Sequence, residues 1–387
     1  MRRHYWWWGL GALVLCAAIA VGIWIVRTPE FSADYIPPEQ REELEAGLTL
    51  RDVILEQQDQ DGQLLWRVNA DEVTYSPDQK SANLVRLEGE LYQDGELLYR
   101  VKADKGRIRE DGQTIFLDQN IVATGIQNQI TLKGDILQWR SEQDVMIVRN
   151  NLTGSHPQIQ ARANEARVYN RAKRVDFTGE VVANTVVSDR QKEPWTKLQS
   201  ETLRWQWEAE EIGSDQPIKV ERFQAGRVTE VMTGNKGLFE IAANRATVTD
   251  DVRVRLAQVP LNIESDLAVW EIAQAMIQIN RPVKIANKKD KLTLTSQQGQ
   301  LDVAKQIVYL NQDVVVLGQT NNSRLTTDRL RWNLKNQTFL AEGTVNYRQR
   351  NPQVTVRGPR ATGRIEQQTL VVDGGRVVTE IVPDDIE

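Results

Sequence analysis

The sequence predicts an all-β body of repeated antiparallel hairpins, preceded by one N-terminal transmembrane helix, and three observations carry that prediction. Residues Tyr5 to Val26 run for 22 positions without a charge, enough to cross the apolar core of a bilayer as a helix. From Leu48 onward, short alternating apolar and polar runs are separated by Asp-Gly, Asn and Lys clusters, the pattern of half-buried antiparallel strands. The strands also repeat. A segment of form apolar-x-apolar-x-small-Asp/Asn ends at Asp71, Asp104, Asp135 and Asn164, and its last four copies, at Asp266, Gln297, Asp328 and Pro359, fall 31 residues apart.

Arg2 and Arg3 precede the apolar run and only Arg27 follows it closely, so the positive-inside bias puts the N-terminus in the cytoplasm and exports the body. Trp6, Trp7, Trp8 and Trp24 sit near the two ends of the run, where indole rings favour the headgroup region, and they are the expected membrane-anchor residues. The rival reading is a cleaved signal peptide with Ala18-Ile19-Ala20 as its site, but apolar sequence continues through Val26. Residues 1–27 are thus expected to form a cytoplasmic tip and anchor. Residues 28–47, with Pro37-Pro38 among charges, are expected to form a linker.

The only cysteine, Cys16, falls within the apolar run and cannot form an intrachain bridge. Three of the 48 basic residues belong to the anchor, which leaves 45 against 53 acidic ones beyond it. A body of net charge −8 argues against nucleic acid and against binding anionic headgroups by bulk charge.

Roughly 15 residues after each small-Asp element comes a strand closed by a polar pair and reopened by Val or Ile, as in FLDQNIVATG and LNQDVVVLG. The closing positions Arg281, Gln312, Gly343 and Gly374 keep the 31-residue spacing. Each unit therefore reads as strand, turn, strand, a hairpin that cannot bury its apolar face alone and must stack. Ten such hairpins over two sheets make about ten layers, close to 50 Å at roughly 4.8 Å per layer.

Alternation assigns the faces. In YRVKAD, Tyr99, Val101 and Ala103 share one face while Arg100, Lys102 and Asp104 share the other. The same parity puts Trp66, Val68, Ile115, Leu117, Ile130 and Leu132 inside. The period breaks between Ser188 and Gly237. A boundary near Pro194 would separate a block at 48–190 from a second repeat block at 191–387. The acidic cluster Glu208, Glu210, Glu211 reads as a solvated loop or edge.

Reactive groups are few. His4 abuts the membrane run and His156 sits in a turn-like SHPQ, so no histidine pair supports a metal site or a triad. The repeat aspartates recur at one position, which suits a strand end or turn better than catalysis. Asp59-Gln60-Asp61-Gly62 lacks the closing Glu of a calcium loop, and like Asp94-Gly95, Asp111-Gly112 and Asp373-Gly374 it reads as a hairpin turn. The body tryptophans could stack on sugar rings, but core packing is the commoner fate. No enzyme activity, metal or cofactor is expected.

In order and kind, the anchor, the linker, the GQLLWR opening strand, VKAD, FLDQNIVATG and LKGD resemble the LptC family of lipopolysaccharide export, over roughly residues 1–180. The later repeats resemble the related LptA/OstA-like β-jellyroll units and make the chain about twice the usual LptC length. The resemblance implies an open β-jellyroll whose apolar interior holds the lipid A acyl chains of lipopolysaccharide. It further implies an inner-membrane ABC transporter complex as partner. An LptA-like jellyroll or an outer-membrane translocon would be reached through edge-strand pairing. On parity, Trp66, Val68, Tyr99, Val101, Ile115, Leu117, Ile130 and Leu132 are the expected lipid-groove residues. The alternatives are an anchored scaffold or adhesin with a filled interior, and a parallel β-helix acting on polysaccharide.

Overall fold

The computed structural model describes residues 48–109, 114–257, 259–320, 322–350, 353–365 and 369–381. The expected anchor with Trp6, Trp7, Trp8 and Trp24, the linker and the Asp111-Gly112 turn lie outside the described residues. Among those described, no helix is long and apolar enough to cross a membrane. The described residues belong to one compact unit, and among them the regular elements are all strands.

The strands in chain order begin with β1 (Leu48–Gln58), β2 (Leu64–Tyr75), β3 (Ser81–Gln93), β4 (Glu96–Arg109), β5 (Thr114–Gly125), β6 (Thr131–Arg140) and β7 (Val145–Ser155). Then come β8 (Ile159–Tyr169), β9 (Arg174–Thr185), β10 (Trp195–Gln206), β11 (Glu211–Ser214), β12 (Ile218–Gln224), β13 (Arg227–Gly234) and β14 (Lys236–Glu240). They continue as β15 (Arg245–Leu256), β16 (Leu261–Glu271), β17 (Met276–Ile279), β18 (Val283–Asn287), β19 (Leu292–Ser296) and β20 (Gln298–Asp302). The last are β21 (Ile307–Gly318), β22 (Ser323–Asn333), β23 (Thr338–Gln349), β24 (Val354–Arg364), β25 (Thr369–Asp373) and β26 (Val378–Ile381).

Every pairing is antiparallel and each long strand pairs with its neighbours in sequence, as β4 does with β3 and β5. A parallel β-helix is thereby excluded. Of the 26 strands among the described residues, five successive pairs (β11/β12, β13/β14, β17/β18, β19/β20 and β25/β26) are halves of one rung each, leaving 21 rungs. The loop holding Pro194 joins β9 to β10, and the two strands pair from Asn184–Lys197 to Arg174–Gln206.

The polar pairs expected to close hairpins do something else. Gln119-Asn120 and Gln312-Asp313 lie in the middle of β5 and β21, as do Asn150-Asn151 and Asp250-Asp251, which the sequence reading did not single out, in β7 and β15, and all eight residues have positive φ. Asn and Asp, with Gly, tolerate this left-handed region best, because a short polar side chain can bond locally. Two such residues in succession make a bulge, and the register slips there, for example between Asp118↔Ile136 and Ile121↔Gly134. The chain turns a corner and continues as the same strand. Arg281 and Gly374 mark the same corner between the halves β17/β18 and β25/β26.

The repeat aspartates Asp71, Asp104, Asp135, Asp266 and Asp328 are mid-strand residues rather than strand ends, and several face a neighbour's corner. Asp104 accepts a hydrogen bond from Asn120 at 2.6 Å, Asp135 accepts one from Asn151 at 2.5 Å, and Asp328 accepts the Thr344 backbone N–H at 3.0 Å. At Gly343 (φ 107°) a Cβ would stand 2.1 Å from the Asp328 carboxylate, so only glycine fits that corner. Asp94-Gly95 is a true two-residue hairpin turn with both φ positive, whereas Asp373-Gly374 is a corner.

The corners fold one continuous ladder so that both halves of each strand turn the same face inward. In β5, Ile115 and Leu117 before the corner and Ile121 and Ala123 after it are all buried. One hydrophobic core runs from Trp66 to Ala361. Because a rung contributes to both half-sheets, 21 rungs at roughly 4.8 Å give a contour of roughly 100 Å, twice the length that counting hairpins suggested.

Candidate functional site

The hairpin turns fall on two margins of the folded ladder. One margin carries the turns at 93–96, 125–131, 155–159, 287–292 and 318–323; the other carries those at 140–145, 169–174, 206–211, 333–338 and 364–369. Where the margins approach each other they form a seam over the apolar interior, and its character changes along the chain.

Toward the N-terminus the seam is bridged by polar side chains. The Asp144 carboxylate accepts hydrogen bonds from Gln93 Nε2 at 2.8 Å, the Asn170 backbone N–H at 3.2 Å and the Arg171 backbone N–H at 2.9 Å. Tyr99 donates its hydroxyl to Asn170 Oδ1 at 2.8 Å and accepts from Asn128 Nδ2 at 2.8 Å. Burial pushes the Tyr99 phenol far above its usual range, so it is a neutral structural group. On the outside, Arg171 donates to both oxygens of Asp94, 3.0 Å at the closest.

The middle of the seam is looser. Gln158 donates to Glu210 across it, so one member of the acidic cluster has a partner. His156 meets Trp205 edge-on at 4.9 Å, and burial lowers its pKa against a smaller opposing pull from Glu210. Two cavities open between the margins. One of about 370 Å³ is bordered by Gln158, Trp195, Ile241 and Ile272, and one of about 330 Å³ by Gln224, Leu256, Val259 and Val303.

Toward the C-terminus a third cavity, of about 310 Å³, reaches the interior itself. Leu294, Leu325, Leu330, Trp332, Phe339 and Leu370 form its walls, and Lys289, Lys291 and Arg364 stand at its mouth.

All eight expected groove residues, Trp66, Val68, Tyr99, Val101, Ile115, Leu117, Ile130 and Leu132, are on the inner face and no more than 3% exposed. The structure brings them together as a packed core beneath the bridged seam, where an open trough was expected. Trp139, Trp205, Trp270 and Trp332 are also fully buried, each near the end of a strand at the second margin, and none of their indole N–H groups has a hydrogen-bond partner. Core packing is thus their fate. Sequence reading missed Gln93, Asp144 and Asn170, for which no periodic signal exists. It also missed the C-terminal cavity, which the correspondence of Trp139 with Trp332 could have located.

Among the described residues, no group of three or more His, Cys, Asp and Glu could hold a metal ion. The arrangement can shelter and line up apolar matter, and its class is that of a long jellyroll-like ladder enclosing a hydrophobic interior. The sequence matches the family model of lipopolysaccharide-assembly, LptC-related proteins three times, over residues 12–146, 143–257 and 263–374, and the chain belongs to that family. No curated protein matches it. Among solved structures, the crystal structure of LptH, the LptA-homologous periplasmic component of the lipopolysaccharide transport device from Pseudomonas aeruginosa, is similar at 14% identity. That similarity covers 31% of this chain and 82% of LptH, with a TM-score of 0.28.

Proposed function

We propose that the protein is a membrane-anchored periplasmic lipid-transfer component that accepts lipopolysaccharide from an inner-membrane ABC transporter and passes it along its apolar interior toward the outer membrane. The observation that carries this reading is the unbroken apolar inner face of a 21-rung ladder in a chain of the LptC-related family. Residues Tyr5 to Val26 would hold it in the inner membrane with the N-terminus in the cytoplasm. Three family repeats in one polypeptide support a chain that carries its own bridge units, the second repeat block extending the path begun by the first.

In this reading the seam parts to admit acyl chains, which replace side-chain contacts on Tyr99, Val101, Leu132 and their neighbours. The magnitudes permit it. Each buried methylene contributes about 0.8 kcal/mol, so a chain of about a dozen gives on the order of 10 kcal/mol before ordering costs. Each hydrogen bond across the seam contributes about 1 kcal/mol net. At the ends of the ladder, β1 and the β25/β26 rung pair on one side only among the described residues. Both expose apolar side chains, including Ile54 and Val371. Such edges support strand addition by a partner jellyroll or translocon.

The packed N-terminal interior favours a second reading, an anchored scaffold or adhesin that binds protein or glycan on its outer face. Photo-crosslinking in cells separates the two. With the probe at Val101 or Leu132, lipopolysaccharide adducts are expected that a probe at outward-facing Lys102 does not give. Absence of adducts at the inner positions, or equal labelling at Lys102, leaves the scaffold.

A further inference from the structure

Charge is unevenly spread along the ladder. The chain has a net charge of −5, yet residues 281–364 hold 15 basic and 5 acidic side chains, and between 323 and 364 eight of the nine cations are arginine. The strand register gathers three of them on the outer face of one half-sheet, beside the margin that carries the turns at 287–292 and 318–323. Arg324 of β22 stands directly opposite Arg348 of β23, and Arg357 of β24 lies one diagonal step away, opposite Asn346. All three are exposed, and among the described residues none has an ion pair or a side-chain hydrogen bond. Leu317 flanks Arg324 on one side and Val378 flanks Arg357 on the other, and both are exposed. Glu380, an acid on the same face, lies two strands from Arg348, beyond Thr355. Like charges directly opposite each other destabilise a sheet. The N-terminal outer face avoids them, setting Lys102 opposite Glu88 at 2.6 Å and Arg67 opposite Glu56 at 2.5 Å. The residues 193 positions before Leu317, Arg324 and Arg348 are Thr124, Thr131 and Ser155, which pair in the same way and carry no charge.

We propose that this face docks on the surface of an anionic phospholipid bilayer, with Arg324, Arg348 and Arg357 on lipid phosphates and Leu317 and Val378 among the headgroups. A guanidinium meets two phosphate oxygens at once through its planar fork, which suits arginine to this contact better than lysine. Side chains on one face of a sheet project in the same direction, so several cations can reach one plane. The apolar flanks gain by entering the interface, and the cations add attraction that reaches about a Debye length. The bulk charge of the body argues against headgroup binding, and the local segregation reverses that argument for its last rungs. The inference does not rest on lipopolysaccharide transfer. It sets the far end of the ladder, roughly 100 Å of contour from the first rung, against a membrane surface.

The test uses the full chain reconstituted in phosphatidylcholine nanodiscs and measures its co-sedimentation with large vesicles, either of phosphatidylglycerol mixed with phosphatidylcholine or of phosphatidylcholine alone. Binding is expected to the anionic vesicles only, and it should weaken as salt is raised. The triple variant Arg324→Gln, Arg348→Gln, Arg357→Gln should bind at least about thirtyfold more weakly, each cation contributing roughly fivefold. A control that removes the same charge from exposed positions elsewhere, Lys133→Gln, Arg162→Gln, Arg227→Gln, should stay within about twofold of the parent. Without vesicles, the first variant should keep or raise the thermal transition, because it relieves the like-charge pair, and this separates lost docking from lost folding. Equal weakening in both variants reduces the effect to bulk charge and overturns the docking face. Equal binding to phosphatidylcholine alone, or binding to neither vesicle, overturns it as well. Capture of polyglutamate in place of anionic vesicles assigns the face to an acidic protein, and self-association abolished by the triple variant assigns it to a second copy of the chain. Either result overturns the bilayer.

Discussion

The two ends of the seam are built on the same strand positions with different side chains. Trp139 and Trp332 are 193 residues apart, and the same offset pairs Tyr99 with Leu292, Ile130 with Ser323 and Met146 with Phe339. At the N-terminal positions, Tyr99, Ile130 and Met146 are all buried, and the tyrosine hydroxyl joins the Asp144 network through Asn170. At the C-terminal ones, Leu292 and Ser323 leave volume unfilled. Gly363 stands where Val168 packs in the earlier rung, and a Cβ there would meet Phe339 at 2.7 Å. The difference teaches that one ladder can be latched or open according to a few residues at its margins, with the apolar inner face unchanged.

The hardest way to press this comparison is to remove the corresponding tryptophans. Trp139→Ala should cost about 4 kcal/mol, within the range for a buried tryptophan. Trp332→Ala, which enlarges an existing cavity instead of opening one in a filled core, should cost about 1 kcal/mol less. Chemical denaturation of each variant measures both, and equal costs would break the distinction. In a ladder where each rung touches only its neighbours, the transition affected should be local to the altered block.

A smaller effect is expected from the latch itself. Asp144→Ala strands three donors beneath the seam and should cost roughly 2–3 kcal/mol. At the matching C-terminal turn, Gln337 donates only to the Leu334 carbonyl, and Gln337→Ala should cost under about 1 kcal/mol. Amide hydrogen exchange should show faster opening at residues 93–99 and 168–174 in the Asp144 variant alone.

The open end can also be made to resemble the closed one. Ser323→Ile installs the side chain of Ile130 at the mouth of the cavity, and it should stabilise the C-terminal rungs by about 0.5–1 kcal/mol through added apolar burial.

The smallest effect is electrostatic. Burial pushes the Glu165 carboxyl up, but hydrogen bonds and charge from Arg149 and Arg167 outweigh it and hold its pKa below the ordinary value of 4.5. A carboxyl whose folded pKa is depressed gives stability that is present above the unfolded pKa and lost as pH falls through the folded one. The corresponding C-terminal position is Arg360. Lowering the pH from 7 to about 3 should therefore shift the denaturation midpoint of the N-terminal rungs more than Glu165→Gln protein shows.

Much of the fold was legible because its signals are periodic. Parity placed Tyr99, Val101, Ile115 and Leu132 on the inner face, and the recurring small-Asp element marked the rungs. The polar pairs do not close hairpins, since Gln-Asn or Gln-Asp after a strand signals a left-handed residue without saying whether the chain reverses or merely bends. Only the pairing of β5 with β4 on both sides of Gln119-Asn120 reveals the bend. The latch escaped because Gln93, Asp144 and Asn170 come from three separate turns, joined by tertiary closure and not by spacing. The cavity escaped for a related reason: Leu292 and Ser323 line it, and whether such residues fill their place depends on what stands opposite.

The proposed transfer function requires lipid to enter the N-terminal interior by parting the seam. In a Cys16→Ser background, Asp94→Cys and Arg171→Cys place thiols on the two margins, where a short bismaleimide can bridge them in cells. With a photo-crosslinking residue at Val101 in the same chain, bridging should abolish the lipopolysaccharide adduct, while a single-thiol control treated alike should keep it. An undiminished adduct at Val101 in the bridged protein would contradict the account.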